Sequence, residues 1–173
     1  MSLKELTAEK HKIAETTPFM KAVFARTLST YTWTDWTYQK TLFYGAIETK
    51  CKIAGYLDDL PGIERTHLLV KDYLEMTDNT VRNSFRESTI NYYQYILGLD
   101  SKNVLAHLYT WHMGDMFGGQ AIKKIVNAPH SSLEFDDPKL LMTNLREKLS
   151  DELGVEANRA FDWAIEIMDT YDV

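Results

Sequence analysis

The segment that decides the fold is residues 109–120, which have the sequence YTWHMGDMFGGQ. Helical periodicity surrounds it, so Gly114, Gly118 and Gly119 fall in the interior of a helix. Each interior glycine costs about 1 kcal/mol relative to alanine, and a further contact must offset that cost. Glycine permits a kink or the close approach of another group to the backbone. Close packing against another helix and a cover over a ligand therefore both explain the segment.

Asp115 lies among these glycines and favours the second explanation. Its helical neighbours are Leu108, Trp111, Gly119 and Ile122, so the carboxylate is carried by a largely apolar helix. An unpaired charge in such surroundings is costly. We therefore expect Asp115 to meet a hydrogen-bond network, ordered water or a ligand. A structural carboxylate bonded to a helix end and a residue that organises water and protons at a cofactor are both possible.

The rest of the chain also has helical periodicity, which predicts a single all-α domain over residues 1–173. A capping box at Ser2–Glu5 begins the first helix, and a proline begins the second. We predict helices over about 2–15, 18–28, 34–57 (capped by Thr34 and Asp35), 62–76, 87–98, 101–126, 138–149 and 154–171.

Composition restricts the possible functions. The 173 residues are 45% hydrophobic and carry a formal net charge of −6, which argues against general nucleic-acid binding. No apolar run approaches the roughly 20 residues that cross a bilayer, and the amino terminus does not have the pattern of a secretory signal. We expect a soluble, cytoplasmic protein without membrane or nucleic-acid partners. Motifs of hydrolases, P-loop NTPases and dinucleotide-binding proteins are absent from the sequence.

Two other residue sets are candidates for chemistry. His11 borders the apolar stripe of the first helix, with Lys4 and Glu15 on its side, and it is either a structural histidine or a metal ligand. Glu64 and His67 form one E-x-x-H pair, whereas a di-iron bundle needs two such pairs and further glutamates. His107 and His112 are candidates for the core or for the ligand pocket.

Two motifs together resemble the haem oxygenase family. Residues 6–20, LTAEKHKIAETTPFM, are similar to the proximal pattern H-x-x-A-E-x-x-x-F-M. Residues 109–125 are similar to the distal pattern Y-T-x-x-x-G-D-x-x-G-G-Q-x-x-K-K-I, and residues 156–161, EANRAF, look like the carboxy-terminal pocket helix. Residues 30–100 match only in helical character. The resemblance implies a helical fold that holds haem between a proximal amino-terminal helix and a kinked, glycine-rich distal helix.

The resemblance also implies residue roles. His11 would be the proximal ligand of the haem iron with Glu15 as its partner, and Asp115 with Gly114 and Gly118 would form the catalytic distal side. The remaining haem-binding residues implied by the resemblance are Lys4, Tyr109, Thr110, Gly119, Arg146 and Phe161. Three positions depart from the family pattern: Trp111 replaces a common arginine, Phe117 a small residue, and Met142 a common lysine.

The implied reaction is the oxidative cleavage of haem b, which is both substrate and prosthetic group, to biliverdin, carbon monoxide and ferrous iron. We expect the IX-alpha isomer, O2 as oxidant, and electrons from a ferredoxin or a reductase. Three alternatives stay open: a haem-binding carrier without turnover, a di-iron oxidase on a similar helical fold, and a thiaminase-like helical enzyme. Cys51, the single cysteine, lacks a recognisable nucleophile context for the last of these.

Overall fold

The structure, a computed structural model, describes residues 1–80 and 82–173, and these residues form helices and loops without a strand. Short 3₁₀ turns occur at Ser131–Leu133 and Asp151–Leu153. The α helices are α1 (Leu3–Glu15), α2 (Pro18–Phe24), α3 (Thr30–Ile53), α4 (Thr66–Met76), α5 (Glu87–Gly98), α6 (Ser101–Ile125), α7 (Pro138–Lys148) and α8 (Gly154–Met168). The predicted all-α class is confirmed.

Polar residues begin several of these helices as the sequence indicates. The Ser2 hydroxyl accepts from the backbone N–H of Glu5, whose carboxylate accepts from the Ser2 N–H in return. Asp100 caps α6 and Asp137 caps α7, each by accepting a backbone N–H three residues later. Such caps satisfy donors that the first helical turn leaves without partners.

The predicted start of α3 is wrong. Ser29 caps this helix, which begins at Thr30, and Asp35 lies buried one turn inside it. Asp35 accepts hydrogen bonds from Tyr171 at 2.7 Å, Asn83 at 2.9 Å and Arg86 at 3.0 Å. Its carboxylate therefore joins α3 to the segment before α5 and to the carboxy-terminal end of the chain instead of capping a helix.

Other helix ends differ from the predicted ones because the backbone leaves the right-handed region early. Arg26 has φ of 60°, and α2 ends at Phe24 rather than near Leu28. Gly55 has φ of 81°, and α3 ends at Ile53 rather than near Leu57. A left-handed residue after the last turn is a common way to end a helix.

Helix α3 packs against α4, α5 and α6, whereas α8 packs against α1, α5 and α6. Buried Glu48 joins α3 to the start of α4 and to α6, because its carboxylate accepts from the backbone N–H groups of Arg65 and Thr66 and from His112 Nε2 at 2.7 Å. His112 is therefore a core residue that ties α6 to α3. Within the described ranges, no helix is both long and apolar enough to cross a membrane.

Candidate functional site

A cavity of about 1110 Å³ opens among α1, α3, α6, α7 and α8. Helices α1 and α6 each pack on α8 and contribute separate parts of the lining. Every site residue predicted from the sequence lies on this lining: Lys4, His11, Glu15, Tyr109, Thr110, Gly114, Asp115, Gly118, Gly119, Arg146 and Phe161. The fold thus brings together residues from four helices, α1, α6, α7 and α8.

His11 presents an imidazole to the cavity from α1. Its Nε2 lies 3.1 Å from Glu15 Oε1, one turn later, and the ring centroid lies 5.6 Å from that of Phe161 on α8. Nδ1 has no hydrogen-bond partner in the described part of the chain. One nitrogen is thus engaged by a carboxylate and the other is available, an arrangement that suits a metal ligand.

The three glycines of α6 have different surroundings. A Cβ added to Gly119 would lie 2.9 Å from Leu133 Cδ2, so this glycine is explained by close packing. Apart from its own stretch of helix, a Cβ added to Gly114 or Gly118 would meet no protein atom within 4 Å, although both residues line the cavity. Protein packing does not explain these two glycines. The α-helical pattern continues through all three, so they do not interrupt α6.

Asp115 is paired with a residue that the sequence analysis missed. Tyr44 on α3 donates from its hydroxyl to Asp115 Oδ2 at 2.7 Å. Burial raises the pKa of the Asp115 carboxyl, against the opposing charges of Lys40 and His112. Burial and the Asp115 charge raise the pKa of the Tyr44 hydroxyl well above its usual value, so Tyr44 keeps its proton. The expected polar partner of Asp115 is therefore present.

Lys40 is the second residue that was missed. It lies one turn before Tyr44 on α3, is only 6% exposed, and lines the cavity together with Trp33 and Trp36. The spacing 33, 36, 40, 44 places all of them on one helical face, so a lysine inside an aromatic stripe was the available signal.

Two exposed cations line another part of the cavity. Lys4 on α1 and Arg146 on α7 form no ion pair within residues 1–80 and 82–173, and Met142 lines the cavity one turn before Arg146. Thr110 also lines the cavity, but its hydroxyl donates to the Ala106 carbonyl oxygen at 3.0 Å and is therefore already used within α6. Cations without protein partners at a cavity are suited to bind a carboxylate group.

Trp111 connects the cavity to a buried hydrogen-bond chain. Its Nε1–H donates to Tyr92 Oη at 2.9 Å, and the Tyr92 hydroxyl lies 2.6 Å from His107 Nδ1. His107 Nε2 in turn lies 2.9 Å from Glu156 Oε1, and Arg159 donates to the other oxygen of Glu156. His107 is consequently a core residue that joins α6 to α8, and it does not line the cavity.

The structure does not support two of the alternative enzyme classes. Among the residues it describes, no three His, Cys, Asp or Glu side chains are grouped so that they could hold a metal ion, and His67 is exposed. The E-x-x-H pair therefore lacks the partners of a di-iron site. Cys51 is buried, and burial raises the pKa of its thiol to about 12, so it is not a reactive thiolate.

The cavity fits a flat, largely apolar group with acidic substituents and a central metal. It offers an imidazole with one available nitrogen, helix backbone with room for a ligand at Gly114 and Gly118, aromatic walls and unpaired cations. Together, these features are those of a helical haem-binding protein. The family model described as Heme oxygenase matches residues 1–139, and the chain belongs to this family of haem-degrading oxidoreductases.

Solved structures of similar fold agree with the family. Haem oxygenase-1 from the cyanobacterium Synechocystis, in complex with haem, superposes with a TM-score of 0.83 at 20% identity over 97% of this chain and 89% of that chain. The haem oxygenase of Leptospira interrogans gives 0.83 at 22% identity, over 99% and 100% of the two chains. Haem oxygenase-2 from Synechocystis, in complex with haem and NO, gives 0.84 at 21% identity, over 96% and 82%. A sequence comparison with curated proteins finds no match.

Proposed function

We propose that this protein binds haem b in the cavity of α1, α3, α6, α7 and α8 and cleaves it with O2 to biliverdin, carbon monoxide and ferrous iron. Bound haem would supply both the iron centre for oxygen chemistry and the ring that is oxidised. The observation that carries the proposal is the room at Gly114 and Gly118, which no protein atom fills although both line a cavity with an available imidazole.

His11 is the proposed iron ligand. Glu15 engages one imidazole nitrogen and Phe161 lies beside the ring, so both restrict its orientation. A carboxylate on the second nitrogen fixes the tautomer and increases the basicity of the ligating nitrogen. Glu15 and Phe161 therefore position His11.

Gly114, Gly118 and Asp115 form the proposed distal side. The two glycines let the helix backbone approach the flat face of a ligand without an intervening Cβ. The Tyr44 hydroxyl donates to Asp115 Oδ2, so Asp115 Oδ1 is available to hold water in the cavity. We assign to this pair the task of holding water and delivering protons on the distal side.

Lys4 and Arg146 are the proposed partners of the haem propionates, with Tyr109, Thr110 and Gly119 on the same lining. Because neither cation has a protein partner among the described residues, Lys4 and Arg146 would hold the haem carboxylates on the side of α1 and α7. We propose that this orientation yields the IX-alpha isomer of biliverdin. Met142 lies where the family pattern commonly has a second cation, so the isomer that forms is a direct test of this orientation.

An acidic one-electron carrier such as a ferredoxin, or a reductase, is the proposed electron donor. Lys21 lies in α2 and Arg26 follows that helix, Lys123 and Lys124 lie in the last turn of α6, and these two helices pack together. A basic surface of this kind would attract an acidic partner, and turnover with ferredoxin should slow as ionic strength rises.

Residues 1–173 are proposed to act as one haem oxygenase-like domain. The hydrophobic core runs from Leu3 on α1 to Tyr171 beyond α8, so residues after position 139 share the core of those before it. The last helix also contributes Phe161 to the cavity.

A non-catalytic haem carrier is the second candidate, and Trp111 favours it because this residue brings no charge to the distal side. One experiment separates the two functions. The purified protein is titrated with haem, and then supplied with O2, NADPH, ferredoxin and ferredoxin reductase. We expect the Soret band of bound haem to fall while biliverdin absorption rises, with the isomer identified by chromatography. Binding without conversion would favour the carrier, and the absence of binding would refute both functions.

A further inference from the structure

Lys40 has an unusual environment for a lysine. It is 6% exposed, and its ammonium group forms no hydrogen bond or ion pair with any residue that the structure describes. Its Nζ lies 5.7 Å, 5.8 Å and 5.9 Å from the ring centroids of Trp33, Trp36 and Tyr44. The side chain thus ends among three aromatic rings at the wall of the cavity.

The rings alone do not account for a buried ammonium group. Aromatic faces attract a cation but do not replace oxygen acceptors for its N–H groups, and a buried charge is costly unless it is paired and hydrogen-bonded. Burial accordingly lowers the pKa of Lys40, while the negative charges of Asp115 and Asp72 oppose the shift. The ammonium group thus lacks a polar partner in the described part of the protein, and a partner can approach it from the cavity that it lines.

Asp115 and Trp111 line the same cavity, and neither of them is the partner of Lys40. Lys40 and Asp115 both line the cavity and their charges interact, yet they form no direct ion pair within the described ranges. Trp111 lies beside the same aromatic group, with its ring 6.1 Å from Trp36 and 5.7 Å from Tyr44. Its indole N–H is already used by Tyr92, so Trp111 offers the cavity neither charge nor a free donor.

We propose that Lys40 is a positioning residue of the distal side, and that its ammonium group draws small anionic ligands of the haem iron into the space next to Asp115. Lys40 supplies from α3 the positive charge that Trp111 does not supply from α6. This inference rests on the proposed binding of haem in the cavity, and it adds a residue outside the two motifs.

The test measures ligand affinity of the ferric haem-loaded protein. Azide, an anion, and imidazole, a neutral ligand, are titrated against the wild type and against K40M, K40R and K102M by following the Soret band. Removing a unit charge about 10 Å away at an effective dielectric constant of about 20 should weaken azide binding about tenfold in K40M. Imidazole affinity should stay within about twofold, since a neutral ligand gains little from the charge.

The control variants test charge separately from shape. K40R should bind azide like the wild type, and K102M, which removes an exposed lysine paired with Glu152, should do the same. The apoprotein of K40M should melt at the wild-type temperature or above, because an apolar residue of similar length replaces an unpaired buried cation. K40Q provides a second neutral variant if K40M does not fold.

Three results would overturn the assignment: unchanged azide affinity in the neutral variants, an equal loss of azide and imidazole affinity, or no rescue by arginine. In each of these cases normal haem uptake would leave the proposed function intact. A wild-type protein that takes up no haem would overturn the proposed function and the role of Lys40 together.

Discussion

Glycine-to-alanine substitutions in α6 separate a ligand-facing backbone from a packed one. At Gly114 and Gly118 an added Cβ meets no protein atom within 4 Å, so the apoprotein should gain the helix propensity of alanine, about 1 kcal/mol at each site. For a chain of this length, that gain raises Tm by about 2–4 °C. The same methyl group enters the space assigned to haem. Overpacking of about 1–3 kcal/mol would weaken haem binding about five- to 150-fold.

The assay pairs apoprotein melting, followed by circular dichroism, with haem titration at the Soret band. G119A is the matched comparison, because its Cβ would lie 2.9 Å from Leu133 and the gain in Tm should shrink or reverse. G98A is the control at an exposed helix end, and its haem affinity should equal that of the wild type. Wild-type haem affinity in both G114A and G118A, or a fall in Tm equal to that of G119A, would refute a ligand-facing backbone.

Three further predictions concern single side chains. The H11A variant should lose the Soret and EPR signature of histidine-ligated ferric haem, and added imidazole should restore it; an unchanged signature removes His11 as the ligand. Asp115→Asn should keep haem affinity but lose biliverdin formation, and normal turnover would contradict its proton-delivery role. Although burial acts to raise it, the pKa of Glu156 lies below its ordinary value of 4.5 because His107, Tyr95 and Arg159 donate to the carboxylate. Its contribution to stability is present above about pH 4.5 and falls as the pH drops through the folded pKa. Melting curves recorded below about pH 4.5 should therefore show that Tm falls more steeply with decreasing pH in the wild type than in E156Q. An equal fall of Tm in the two proteins would refute this contribution.

Much of the fold was predictable because helix signals are local. The capping box at Ser2 and Glu5 and the caps of α6 and α7 depend on residues within one turn, and α1, α5, α6 and α7 have nearly the predicted bounds. The start of α3 failed for a physical reason. Asp35 is a residue type that commonly caps helices, but its carboxylate accepts from Tyr171, which is 136 positions later in the chain.

The site was predictable where one helix carries the pattern and not where helices meet. The pairing of Glu15 with His11 follows from an i, i+4 spacing, and the structure places these two side chains 3.1 Å apart. Tyr44 and Asp115 are 71 positions apart, so no local spacing could relate them. Sequence also could not separate Gly119 from Gly118, because both a packed and a ligand-facing backbone require the absence of Cβ.

A motif written along α6 therefore gives only part of the distal side. Trp111 uses its single donor on Tyr92, whereas α3 contributes the hydroxyl of Tyr44, which donates to Asp115, and the ammonium group of Lys40, whose charge acts on Asp115. Because these two residues lie one turn apart, α3 presents both a proton donor and a positive charge to the cavity wall. With the positive charge provided from α3, as we propose, position 111 can carry an aromatic residue. Substituting arginine for Trp111 in a K40M background should restore azide affinity, and failure to do so would show that the two positions are not equivalent sources of charge.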